Sequence, residues 1–258
     1  MSAYFVLCIA AFFTSGLTLF SGFGLGTLLM PVFTLFFPVE LAVALTAIVH
    51  LANNLFKLAL LGKQADRSVV LRFGLPAIVA AVFGAKALVW FVHLPPILRY
   101  SFFGQQHLVM PVKLVVAVLM VFFALFELVP SLGEISFSKN HLPIGGILSG
   151  FFGGLSGNQG AFRSAFLLKS GLPKEQFIAT GIVVACLVDF SRLAVYGPKF
   201  SAAFSSQNER LLAAAILSAF FGAFLGARLM KKVTLRAVQL LVAALLFVIA
   251  VLLGAGLI

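Results

Sequence analysis

Residues from about 14 to 62 fall on residues 149–197 at a constant shift of 135, with no gap. Ser21-Gly22 lands on Ser156-Gly157, Pro38-Val39-Glu40 on Pro173-Lys174-Glu175, and Gly62 on Gly197. The same shift carries Asn54 and Lys57 onto Asp189 and Arg192. A duplication of this length predicts two related halves, 1–130 and 131–258, that build one unit. Each copy holds a glycine-rich break inside an apolar run, followed by polar residues at a matching depth. Transporters built from internal repeats carry that pattern.

The solvent for this fold is lipid. Of the 258 residues, 62% are hydrophobic and only 10% charged, against about 25% charged in an ordinary soluble domain. Apolar runs recur over 3–37, 39–61, 69–92, 108–129, 142–170, 175–196, 209–229 and 235–257. An all-α, polytopic helix bundle in the lipid bilayer follows, placed as a multi-pass protein of the cell (inner) membrane. The polar stretches Gly62–Arg72, His93–His107 and Pro130–His141 are loop-sized, too short for a separate globular module. The net charge of +11 is scattered at segment ends, which suits basic loops on the cytoplasmic side and argues against nucleic acid. Part of the excess would attract an anion. Cys8 and Cys186 lie in apolar runs and do not correspond in the repeat, so they read as small apolar fillers. The run Ser2–Phe20 lacks a charged start and reads as a retained membrane helix.

Two runs, 3–37 and 142–170, are too long for one ordinary span. Their cores, Ser21-Gly22-Phe23-Gly24-Leu25-Gly26 and Gly153-Gly154-Leu155-Ser156-Gly157-Asn158-Gln159-Gly160, are weak helix because each interior glycine costs about 1 kcal/mol relative to alanine. Each run therefore reads as a helical hairpin that enters the bilayer and returns. If both return, loops 62–72 (Lys63, Arg67, Arg72) and 230–236 (Lys231, Lys232, Arg236) share one side with Lys139, Lys169 and Lys174, as the positive-inside bias prefers. Each half then crosses an odd number of times, and the halves are inverted repeats. Parallel repeats are the alternative.

An unwound stretch at membrane depth leaves backbone groups that protein, water or a ligand must satisfy. A half-helix starting after the break aims its first N–H groups, and the positive end of its dipole, at that place. Gly22, Gly24, Gly26, Gly157 and Gly160 are accordingly candidate substrate-binding positions, with tight helix packing through small residues as the alternative. Asn158 and Gln159 sit in the second break and Arg163 follows within a turn. Their counterparts are Phe23, Gly24 and Leu28, so the second half adds polar groups that the first lacks. An arginine at this depth is costly, and its fork suits a sulfonate, sulfite or carboxylate. The i, i+3 pairs Asn54/Lys57 and Asp189/Arg192 each lie on one helix face. With Asn53 and His50 they are candidates for the pathway or for coupling, Asp189 and His50 being the titratable pair. Asp189 and Arg192 could instead simply neutralise each other. Lys86 and Arg228, each in a Gly-Ala-Lys/Arg pattern, read as snorkelling to an interface. No nucleophile triad, metal set or phosphate loop is present in the sequence, so neither an enzyme nor a cofactor is expected, and no metal site.

Gly22-Phe23-Gly24-Leu25-Gly26-Thr27-Leu28-Leu29-Met30-Pro31 resembles the glycine-rich signature near the start of the TauE/SafE sulfite exporter family. Gly150 through Ser164 resembles its second copy, and the likeness covers nearly the whole chain. It implies an integral permease for sulfur-containing anions such as sulfite, sulfoacetate or thiosulfate, working by alternating access on proton or membrane potential. The second copy departs from the first, with Phe166 at the place of Pro31 and added polarity at Asn158, Gln159 and Arg163. That departure points to a subgroup with its own substrate. An anion channel of the same fold and a non-transporting scaffold or assembly protein are the other readings; the partners expected are a small anion, the lipid bilayer and, for a homo-oligomer, further copies of the chain.

Overall fold

In a computed structural model of the chain, residues 2–21, 25–61, 64–129, 137–197, 206–229 and 235–258 are described. The helices of the first half are α1 (Ser2–Ser21), α2 (Leu25–Thr34), α3 (Val39–Leu61), α4 (Arg67–Val92) and α5 (Pro111–Leu128). Those of the second half are α6 (Leu142–Ser156), α7 (Gly160–Leu167), α8 (Lys174–Tyr196), α9 (Ser206–Leu229) and α10 (Leu235–Gly254). The second long apolar run is broken where its glycines predict, and in the first α1 ends at Ser21 and α2 starts at Leu25, on either side of residues outside the description. Four of the described helices, α3, α4, α8 and α9, are long and apolar enough to cross a bilayer. They form two pairs of repeat mates. Within those spans 61% of α3 and 56% of α8 is buried, against 33% of α4 and 39% of α9. α3 and α8 are therefore the central helices, while α4 and α9 present more of their surface to lipid.

The packing exchanges elements between halves. α4 lies along α6, and α9 along α1; α3 meets α8, and α5 meets α10. Glycines make the first two contacts close. A Cβ placed at Gly146, Gly150 or Gly154 would overlap the carbonyl of Phe73, Ala77 or Ala81 in turn. The order is the same on both helices, so α4 and α6 run parallel, backbone against backbone. Gly222 faces Phe12 and Gly226 faces Gly16, which makes α1 and α9 parallel as well. The packing role weighed for small residues thus belongs to these glycines.

The counterpart helices run the other way. The Lys113 Nζ donates to the Ile258 carbonyl at 2.7 Å, and a Cβ on Gly254 would lie 3.2 Å from Ala117. The end of α10 thus sits at the start of α5. Just beyond α3, the Asp66 N–H donates to Thr180 Oγ1 at 2.9 Å, near the start of α8, while mid-helix His50 meets Asp189. α3 and α8 are antiparallel. Asp66 also caps α4, its Oδ1 accepting from the Val69 N–H at 2.8 Å, which is a normal role for aspartate at a helix start.

The second long run is a hairpin. Gly157 takes the left-handed conformation, φ +82°, which glycine adopts at no steric cost, and α7 turns back along α6. The Phe166 ring lies where a side chain on Gly145 would be, and Ser149 Oγ donates to the Gln159 carbonyl at 2.9 Å. Phe162 anchors α7 among Phe122, Phe123 and Phe126 of α5 and Phe152 of α6. Phe166, which stands where the first copy has Pro31, also stacks on Phe137 with centroids 4.2 Å apart. In the first half α1 and α2 touch; Gly22, Phe23 and Gly24 lie outside the described residues.

One expectation is corrected. The stretch His93–His107 is not simply a loop: β1 (Leu98–Phe102) pairs antiparallel with β2 (Gln105–Val109). The apolar run placed at 108–129 therefore begins in a strand, and the helix starts at Pro111. Tyr100 donates from its hydroxyl to the Ala255 carbonyl at 2.6 Å, so the hairpin is tied to the end of α10. Side-chain polarity in this stretch hid a backbone pairing that any sequence of extended residues can make.

Candidate functional site

The polar residues of α3 fall into one stripe. Thr46, His50, Asn53, Asn54 and Lys57 recur at three- and four-residue spacing, which places them on one face. All are buried, from 0% exposed at Thr46 and Asn53 to 6% at Asn54 and Lys57. That face meets α8, where Asp189 and Arg192 are both fully buried. Thr46 was not singled out from the sequence, although its position one turn before His50 continues the stripe. Ser15, whose Oγ donates to Asn53 Oδ1 at 2.9 Å, and Tyr196, whose hydroxyl donates to the Gly154 carbonyl, were also missed. Each is an ordinary residue in an apolar run, and only a contact across the bundle gives it meaning.

Asp189 is the hub. Its Oδ1 accepts from Arg192 Nε at 2.9 Å and Nη2 at 2.7 Å, and from Gln159 Nε2 at 3.2 Å. Its Oδ2 accepts from His50 Nδ1 at 2.6 Å. With the Nδ1 proton pointing at the carboxylate, His50 Nε2 is left as the acceptor for Asn54 Nδ2, 3.2 Å away. Arg192 reaches further, its Nη1 donating to the Gly153 carbonyl at 3.4 Å. The neutralising role weighed for Asp189 and Arg192 therefore describes their geometry, with His50 drawn in from the other half.

The start of α2 meets the second break. A Cβ on Gly26, at the start of α2, would sit 3.0 Å from the Gly157 carbonyl oxygen and 4.0 Å from the Thr46 methyl. A Cβ on Gly157 would sit 3.0 Å from Arg192 Nη1. Beyond the break α7 begins at Gly160 with no side chain capping its start, so its first-turn amides have no partner within the helix. Asn158 (1% exposed) and Gln159 (0%) are buried in the break. Gln159 is engaged at both ends, donating to Asp189 and accepting from Arg163 Nη1 at 3.3 Å. Asn158 donates from Nδ2 to Ser156 Oγ at 3.3 Å, which leaves its Oδ1 unpartnered. Arg163 crosses toward α8, where its Nε lies 3.5 Å from the place of a Cβ on Gly181.

Three buried polar atoms among the described residues have no hydrogen-bond partner: Thr46 Oγ1, Asn53 Nδ2 and Asn158 Oδ1. An orphaned buried polar atom costs about 1–3 kcal/mol, and such atoms are rare in native proteins. All three belong to the α3 stripe or to the second break, so the cost falls where the halves meet. The structure thus brings together Gly26, His50, Asn53, Asn54, Gly157, Asn158, Gln159, Gly160, Asp189 and Arg192, with Lys57 and Arg163 at the same junction. Gly22 and Gly24 lie outside the described residues. Lys86 is exposed, and the Arg228 side chain is not among those described.

The family model described as "Sulfite exporter TauE/SafE" matches residues 7–253. No curated protein and no solved structure matches the chain. The match begins in α1 and ends in α10, so it takes in both breaks, the α3 stripe and the Asp189 hub: the chain belongs to the TauE/SafE sulfite exporter family, a family of membrane transporters.

Proposed function

We propose that this chain is a permease of the cell (inner) membrane for small sulfur-containing anions such as sulfite or organosulfonates. Its halves, 1–130 and 131–258, act as inverted repeats that work by alternating access. The observation that carries this reading is the meeting of Gly26 with Gly157 beside the buried Lys57 of α3 and the half-buried Arg163 of α7. Glycine backbone at the start of α2 and in the second break, meeting at membrane depth beside unpartnered polar atoms, forms the place where a small anion replaces missing partners. Inversion is supported by the antiparallel course of the mates α3/α8 and α5/α10. Proton or membrane potential drives the cycle.

Transport of labelled sulfite and methanesulfonate into proteoliposomes, with and without a pH gradient, tests the proposal. Saturable uptake that responds to the pH gradient or the imposed potential, and is lost in Arg163→Ala, is the expected outcome. Non-saturating flux would replace the permease by a channel. No flux at all, with ligand-induced thermal shifts unchanged in Arg163→Ala and Asn158→Ala, would leave the glycines as packing residues only.

A further inference from the structure

The repeat contains an unequal exchange. Asp189 and Arg192 stand one turn apart on α8, and at the same positions of α3 stand Asn54 and Lys57. In the second half the carboxylate neutralises the arginine through two short bonds. In the first half the amide has no charge to offer, and Asn54 bonds His50 instead. Lys57 is left 6% exposed, and among the described residues no carboxylate pairs with it. Arg163 bonds the neutral Gln159 oxygen, at 3.3 Å, and lies against Gly181 of α8, next to the Thr180 that meets the chain just beyond the Lys57 end of α3. Three cations, Lys57, Arg163 and Arg192, thus share one carboxylate, Asp189, which Arg192 and His50 already occupy. Among the described residues the junction carries an excess of two positive charges. Buried charge of one sign is retained only where a counter-charge completes it.

We propose that the place between Lys57 and Arg163 takes a doubly charged oxyanion, one negative charge for each uncompensated cation, with Lys57 setting the preference for a dianion over a monoanion. Asn53 Nδ2, fully buried, unpartnered and one turn before Lys57 on the same face, is a third donor to that anion. Arg192 is the positioning cation of the Asp189 hub and makes no contact with substrate. The proposal rests on the reading of the chain as an anion permease, and it narrows the substrate class to divalent oxyanions of sulfur.

The test uses the purified full chain in an anion-poor buffer, titrated with thiosulfate as the dianion and methanesulfonate as a monoanion of similar size, and followed by thermal unfolding. Wild type is expected to respond to thiosulfate at a concentration at least about tenfold lower, the worth of one charge-assisted hydrogen bond. In Lys57→Met that ratio falls to near one, whereas Lys57→Arg keeps it. Without added anion, Lys57→Met unfolds at or above the wild-type temperature, because an uncompensated charge has been removed. Equal response of wild type to both anions, an unchanged ratio in Lys57→Met, or a lower anion-free unfolding temperature in that variant overturns the charge assignment while leaving a permease. If neither anion shifts wild type and neither enters proteoliposomes, the permease reading itself falls.

Discussion

Replacing Asp189 by asparagine removes one negative charge from a site with no access to water, and the consequence follows from its four hydrogen bonds to Arg192, Gln159 and His50. Arg192, 0% exposed, loses the oxygen that accepts from its Nε and Nη2. An asparagine oxygen can still accept one of those bonds, but its amide group then faces the Nδ1 proton of His50, donor against donor. Breaking a buried ion pair from one side costs about 3–5 kcal/mol, because the remaining charge is stranded. In a chain of this size each kcal/mol moves the unfolding midpoint by about 2–4 °C. Asp189→Asn should therefore unfold roughly 10 °C below wild type. A thiol-reactive dye in detergent reads this directly, since Cys186 is buried and Cys8 half-buried. Adding Arg192→Met should restore most of the loss, because the stranded charge that causes it is then gone. A midpoint unchanged in Asp189→Asn, or a double variant that loses the sum of both single effects, would refute the pairing as the source of stability.

Other consequences are read more simply. Gly154→Leu and Gly226→Leu place side chains inside the α4/α6 and α9/α1 contacts, where overpacking against backbone costs at least about 1–3 kcal/mol; both should lower the yield of monodisperse protein on size exclusion. Tyr196→Phe removes the hydroxyl bond to the Gly154 carbonyl and should lower stability by about 1 kcal/mol in the same dye assay. Cysteines introduced one at a time in loops 62–72 and 197–208 should react with a membrane-impermeant thiol reagent from opposite faces of the bilayer. Labelling from one face would end the inverted arrangement.

The sequence alone determined the elements and the sites of their breaks. Val39–Leu61 emerged as α3 with the bounds read from hydropathy, and the glycines at 153–157 marked the turn of the second hairpin. Both are local consequences of composition: an apolar run must satisfy its backbone as helix, and clustered glycine weakens that helix. The strands at Leu98–Phe102 and Gln105–Val109 were not legible, because a short two-stranded pairing leaves little signature in polar, proline-flanked residues. Nor could the sequence assign each glycine to packing or to the junction. Gly154 meets the backbone of Ala81 while Gly157 faces Gly26 and Arg192, and that depends on which helix lies alongside. Tertiary structure also decided the charges. Asp189, Arg192, Lys57 and Arg163 were all visible as intramembrane ions. Their pairing waited on the fold, which brings His50 from α3 and Gln159 from the break onto the one carboxylate and leaves Lys57 and Arg163 without a counter-charge of their own among the described residues. Helix periodicity determines which face a residue occupies; neutralisation is a matter of a few ångströms between helices far apart in the chain, and only packing sets those distances.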